Sequence, residues 1–189
     1  MLHWRQECRH SGSAFTLIEL LIVISIIIVL AGLILGTSGY VQKKGQRSRA
    51  EAEIAAMSAA LESYKADNGI YPQEPATDNL NAQTDINPND YPAASLVLYH
   101  ALSGATSGSR TPTEKSYFAF KPNMLSPRDV NEPVAAIRDP FGNSYGYSTA
   151  NQAYPEKGFN PTFDLWSTGG DLELGDTPPR AHQRWIKNW

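Results

Sequence analysis

Phe15-Thr16-Leu17-Ile18-Glu19-Leu20-Leu21-Ile22-Val23-Ile24-Ser25-Ile26-Ile27-Ile28-Val29-Leu30-Ala31-Gly32-Leu33-Ile34-Leu35 decides how the rest of the chain is read. These twenty-one residues carry one ionisable side chain, Glu19. At about 1.5 Å per helical residue they reach about 30 Å, the depth of one bilayer core. A helix apolar on every face belongs in a large core or in a membrane, and a chain of 189 residues builds no core able to enclose this one. The segment therefore reads as a transmembrane helix. Glu19 stands out within it, because a carboxylate near the end of such a helix costs up to about 2.5 to 3.5 kcal/mol unless it snorkels to the headgroups or meets a cation. The helix carries no cation of its own. A second molecule, for instance through the amino group of a freshly cut N-terminus, would supply one.

Ala14-Phe15-Thr16-Leu17-Ile18-Glu19-Leu20, set behind a short polar leader, resembles the class III signal of type IV prepilins and type II secretion pseudopilins. The resemblance implies that a prepilin peptidase cuts between Ala14 and Phe15 and methylates Phe15. It also implies that Glu19 pairs with the amine of a neighbouring subunit during filament assembly. The family usually has Gly before the cut, whereas here Ala14 holds that place and Gly12 lies two residues earlier. A cut after Gly12 would set Glu19 at the wrong distance from the new amine, so the Ala14 site is preferred and slower processing is expected.

Net charge of −3 and a pI near 5.8 give no basic field, so nucleic acid is not the implied partner. Cys8 is the only cysteine and sits in the leader, which leaves the processed chain without a disulfide. Arg5 and Arg9 precede the apolar run, while Lys43, Lys44, Arg47 and Arg49 follow it. Positive-inside counting alone would not place the N-terminus in the cytoplasm. The resemblance does, since the leader must meet its peptidase there.

Residues 1–14 read as a cleaved leader, 15–35 as the span, and 36–68 as an amphipathic continuation of the same helix. Residues 69–189 form a head, loop-rich over 73–137. Gly32 and Gly36 make a small-xxx-small pair that lets another helix approach. Ile54, Met57, Leu61 and Tyr64 recur at steps of three and four, a stripe that docks on a sheet. Asp67-Asn68-Gly69 ends the helix, with Gly69 suited to the left-handed position and Pro72 blocking resumption. Residues 73–91 are expected as loop, 94–102 as a short helix, and 117–120, 134–137, 144–148 and 162–167 as strands. Asp139-Pro140-Phe141-Gly142-Asn143 forms a hairpin turn. The expected fold is α+β, with the long helix packed on a small antiparallel sheet of three or four strands.

Three later stretches narrow the resemblance. Asp139-Pro140-Phe141-Gly142-Asn143-Ser144-Tyr145 is similar to the D-P-W-G-N-P-Y signature of major pseudopilins. Phe163-Asp164-Leu165-Trp166-Ser167-Thr168-Gly169-Gly170-Asp171 is similar to their F-D-L-x-S-x-G-x-D end strand, and Ile186-Lys187-Asn188-Trp189 to their tail. Between Pro72 and Asp139 the match is poor. The Gly-rich turn carries Asp171, Glu173 and Asp176 within six residues, oxygen donors of the kind a hard cation takes. The resemblance implies Ca²⁺ there, held by Thr168 through its carbonyl, by Asp171 and Asp176, and less securely by Glu173.

No HExxH, GxSxG or Walker-type stretch occurs, and His3, His10, His100 and His182 form no catalytic pattern. The absence of these patterns argues against an enzyme, and the resemblance implies a structural subunit of a type II secretion pseudopilus. Its implied partners are the prepilin peptidase/methyltransferase, other pseudopilins as a homopolymer, an inner-membrane assembly platform and membrane lipid. It would sit in the bacterial inner membrane as a single-pass protein with a periplasmic head. A type IV pilin or minor pilin is the alternative within this class. From another class comes a membrane-anchored periplasmic enzyme or binding module, whose helix could be exchanged without loss of activity.

Overall fold

A computed structural model describes residues 15–170 and 177–189, with 36–38 as backbone only. The chain divides after Lys43 into two compact units, and helix α1 (Leu17–Asn68) supplies residues to both. In the first unit every large apolar side chain from Phe15 to Leu35 is at least 48% exposed. Among the described residues this is the one helix long and apolar enough to cross a membrane. So much bare apolar surface requires lipid or other helices to cover it.

The second unit is built on the amphipathic end of α1. Ala50, Ile54, Met57 and Leu61 are buried with Tyr145, Tyr147, Phe163 and Leu165 in one core cluster. Fully burying a side chain of this size is worth about 1.5 to 3 kcal/mol, so the stripe fixes which face of α1 meets the head. The helix stops where the sequence expects: Gly69 takes φ +82° and donates its N–H to the Lys65 carbonyl at 2.7 Å. Segment 69–80 is then tied down by hydroxyls. Tyr147 Oη donates to the Pro72 carbonyl at 2.8 Å, Ser148 Oγ to Leu80 at 2.6 Å, and Thr77 and Thr149 share a 2.7 Å bond.

Helices α2 (Pro75–Asp78) and α3 (Pro92–Ser103) follow, α3 ending at left-handed Gly104. Strands β1 (Leu125–Ser126) and β2 (Ala136–Ile137) pair antiparallel. Strands β3 (Gly146–Ser148), β4 (Asp164–Ser167) and β5 (Ile186–Lys187) form a second antiparallel sheet in the order β3-β4-β5. Helix α4 (Pro178–Arg184) lies between β4 and β5 in the chain. The fold is α+β, a long helix with two small sheets.

Several elements differ from the sequence reading. Residues 73–91 contain α2 and a 3-10 turn at Pro88–Asp90, both opened by prolines at their first positions. Residues 117–120 are not a strand. Tyr117 and Phe118 donate their N–H groups to the Leu102 carbonyl, and Phe118 and Phe120 pack on each other and on the core, so their alternation reflects a half-buried extended segment. The Asp139–Asn143 turn joins strands of two different sheets, and its two sides are linked by an Arg138–Ser144 bridge and by the Tyr145 N–H, which donates to the Ile137 carbonyl at 3.0 Å. In the poorly matching region, Arg110 gathers the chain by donating to the carbonyls of Pro127, Asp129 and Glu132 at 2.7, 2.8 and 3.1 Å.

A second cluster gathers Tyr91, Trp166 and Trp185, with Trp166 and Trp185 stacked at 5.4 Å. Gly146 makes room for it, since a Cβ there would lie 2.1 Å from the Trp166 ring. Gly146→Ala is expected to cost about 3 kcal/mol through overpacking, read as a lower urea midpoint of the head. An unchanged midpoint would contradict this packing.

Candidate assembly site

At the N-terminus of α1, Thr16 and Glu19 bind each other reciprocally. Thr16 Oγ1 accepts the Glu19 N–H at 3.3 Å, while Glu19 Oε2 accepts both the Thr16 N–H and the Thr16 hydroxyl at 2.8 Å. This is a capping box, which satisfies two of the helix's orphan donors, and the T-x-x-E spacing is its sequence signal. Reading Glu19 only as a misplaced charge overlooks Thr16. The positive end of the helix dipole also favours a carboxylate at this place. Phe15 stands just ahead, 86% exposed; Ala14 lies outside the described residues. Gly32 is a notch, with nothing within 4 Å of where its Cβ would be. Of Gly36 only the backbone is described.

In the head the structure joins two stretches that the sequence presents twenty-odd residues apart. Asp139 is 4% exposed. Its Oδ1 accepts the N–H groups of Phe141 and Asn143 at 3.0 and 2.8 Å, and its Oδ2 accepts the Ser167 hydroxyl at 2.6 Å. Ser167 Oγ in turn accepts the Gly169 N–H at 3.1 Å, and Asn143 Nδ2 donates to Thr168 Oγ1 at 3.1 Å. Burial pushes the Asp139 carboxyl above the usual carboxylate range, and these donors draw it part of the way back. The turn beyond is tightly bounded: Gly169 and Gly170 have φ of +74° and +76°, and a Cβ on Gly170 would meet the Phe141 ring at 2.6 Å.

The amphipathic part of α1 holds this region directly. Arg47 donates to the carbonyls of Arg184 and Trp185 at 2.8 and 3.3 Å, and Gln46 to that of Pro140 at 3.2 Å. Arg49 Nε and Tyr145 Oη both donate to Glu53, at 2.7 and 2.8 Å. Burial and the Glu53 carboxylate together push the Tyr145 phenol well above its ordinary range. Arg47 and Glu53 carry no recognisable motif role, and the Asp139–Asn143 stretch reads as a turn without revealing the Asp139–Ser167 bond, so sequence reasoning missed what all three hold together.

Thr168 is 1% exposed at the head of the Gly169–Gly170 turn, whereas Asp171, Glu173 and Asp176 lie outside the described residues. Among the described residues no three His, Cys, Asp or Glu side chains gather to hold a metal ion. Asp139 is committed to its internal donors. A cleft of about 440 Å³ opens beside Tyr64, His100 and Glu114. Its one imidazole accepts the Gly108 N–H through Nε2 at 2.9 Å, a bond that holds the loop.

The sequence family described as the prokaryotic N-terminal methylation motif matches residues 9–35. The chain is 27% identical to type II secretion system core protein G of Pseudomonas aeruginosa, covering 96% of this chain and 97% of that protein. With the Vibrio cholerae protein of the same name it shares 26%, over 94% of this chain and 91% of that one. The Aeromonas hydrophila protein of that name is 39% identical over 67 residues, 35% of this chain and 46% of the relative. No solved structure matches.

Removing the Asp139 carboxylate would strand the buried Ser167 hydroxyl and two half-buried N–H groups, those of Phe141 and Asn143, the buried donor alone costing about 1 to 3 kcal/mol. Asp139→Ala is therefore expected to lose about 3 kcal/mol or more in chemical denaturation and to open the Thr168–Gly170 turn to amide exchange. Wild-type protection of Gly169 in that variant would show that the relay does not hold the turn.

Proposed function

We infer that the chain is a pseudopilin of the type II secretion system and that its two units divide the work of a pseudopilus subunit. The observation that carries this reading is the Thr16–Glu19 box at the head of an otherwise apolar helix whose large side chains from Phe15 to Leu35 are at least 48% exposed. The prepilin peptidase cuts between Ala14 and Phe15, and the new N-terminus of one subunit approaches Glu19 of its neighbour. Before assembly, Thr16 satisfies that carboxylate locally. On assembly the neighbour's ammonium adds a full positive charge, a stronger partner than two neutral donors in a low-dielectric setting.

Apolar helices then pack against one another, with Gly32 and Gly36 permitting close approach. The head faces the periplasm and forms the filament surface, and the inner-membrane platform feeds subunits in. No catalytic step is assigned to the chain.

Calcium belongs to the same reading. Thr168, Asp171, Glu173 and Asp176 offer carbonyl and carboxylate oxygens, the donor set a hard cation takes, and the left-handed glycines let a backbone carbonyl turn inward. Bound there, the ion would cross-link the acidic loop to the turn that Asp139 and Arg47 already hold.

Two outcomes test these assignments. Glu19→Ala is expected to remain folded and membrane-inserted while filaments, counted by electron microscopy under overexpression, fall to background; normal filament numbers would refute the assembly role. Added calcium is expected to raise the Tm of the full chain by several degrees, by preferential binding to the folded state. Asp171→Asn should abolish the shift, and a wild-type Tm indifferent to calcium would remove the ion from the account.

A further inference from the structure

We propose that the cleft between the end of α1, helix α3 and the loop after Gly104 binds a primary alkylammonium on an apolar stem, as in a lysine side chain or a free diamine. The site lies within the head and does not rest on filament assembly. At about 440 Å³ the cleft falls in the size range of small-ligand sites. Val97 and Ala105 are buried in its lining, whereas Glu74 and Glu114 are exposed. Apolar surface therefore lies deep, where an alkyl stem is favoured, and the carboxylates stand nearer to water, where the charged end of such a side chain belongs.

Charge decides the ligand. The charged residues lining the cleft are Glu74, Glu114 and Lys115. Lys115 is committed to an ion pair with Asp67, and among the described residues no ion pair reaches Glu74 or Glu114. His100 accepts the Gly108 N–H through Nε2 and is thereby neutral. Two carboxylates are left without a counter-charge. A hard metal ion takes six to eight oxygens, more than this pair supplies, so an organic cation suits the space better. The wall already shows how an ammonium is taken: Lys115 Nζ pairs with Asp67 and lies 5.0 Å from the centre of the Tyr117 ring, a carboxylate and an aromatic face together. Glu114 and Tyr64 bring the same two groups to the cleft. Tyr64 sits edge-on to Tyr117 at 5.3 Å; burial first, then Tyr117, then the Glu114 carboxylate push its phenol above the ordinary range. The loop wall is preformed. Thr113 and Glu114 donate their N–H groups to the Gly104 carbonyl at 2.8 and 2.9 Å, and a Cβ on Gly104 would lie 2.6 Å from the Glu114 carbonyl oxygen. Little ordering is left for a ligand to bring about.

The test uses the full chain in detergent micelles, with carbon-13 in its alanine methyl groups. Three probes are titrated: N-acetyl-lysine methylamide, N-acetyl-norleucine methylamide, which keeps the stem without the charge, and 1,4-diaminobutane. The lysine probe is expected to shift the Ala101 and Ala105 signals saturably, and the norleucine probe to leave them in place at the same concentration. Glu74→Gln and Glu114→Gln, both at exposed positions, are expected to keep the wild-type Tm and to weaken the lysine probe about five-fold each. An equal response to the norleucine probe, or unchanged affinity in either variant, overturns the cation assignment. No saturable shift with any probe overturns the site. A diamine that binds at least as tightly as the lysine probe identifies a free amine as the ligand, and a tighter lysine probe identifies a protein side chain.

Discussion

A carboxylate at the lipid end of an apolar helix has to be solvated by something, and the choice of partner shapes everything downstream. In the single subunit the partner is Thr16, which offers Glu19 a backbone N–H and a hydroxyl at 2.8 Å each. Those donors are neutral. They reduce the cost of placing Glu19 in the membrane without cancelling its charge, so an ammonium brought by another subunit still gains by approaching. A helix that ended in an apolar residue here would have no such preference. In the proposed assembly, the residual cost carried by Glu19 would favour contact with the N-terminus of a neighbouring subunit.

The head depends on a different constraint, the need to hold many short elements around one amphipathic helix. Among the described residues no strand exceeds four residues, so ladder hydrogen bonds alone are few. Cohesion comes from the buried stripe of α1 and from polar groups that reach across between segments. Glu53 takes Arg49 and Tyr145, Arg47 and Gln46 take carbonyls near the chain's end and at Pro140, and Asp139 binds Ser167. Apart from the Arg49–Glu53 pair, one turn apart on α1, each is a long-range link, and losing the Asp139 carboxylate strands the buried Ser167 hydroxyl. The turn carrying Thr168 is positioned by the same links that hold the head on its helix.

Much of this architecture was legible because it is written in periodicity and punctuation. The span, the Ile54-Met57-Leu61 stripe, the stop at Gly69, the helix around residues 94–102 and the strands at 146–148 and 164–167 all follow from spacing or from turn chemistry. The strand expected at 117–120 failed because aromatic alternation reports a half-buried extended chain whether or not a neighbour strand pairs with it. Strands β1 and β5 went unseen because two residues carry no period. Thr16 could have been found from the T-x-x-E spacing. The Asp139–Ser167, Glu53–Tyr145 and Arg47–Arg184 links could not, since their partners lie from 28 to 137 residues apart in the chain.

The proposed assembly requires that Phe15 become the working N-terminus and Glu19 its counterpart in the next subunit. Intact mass and N-terminal fragmentation of the chain extracted from membranes of a host with a prepilin peptidase test it most directly. A chain beginning at N-methylated Phe15 is the expected result. A chain still carrying Met1, or one beginning beyond Leu35, would contradict it.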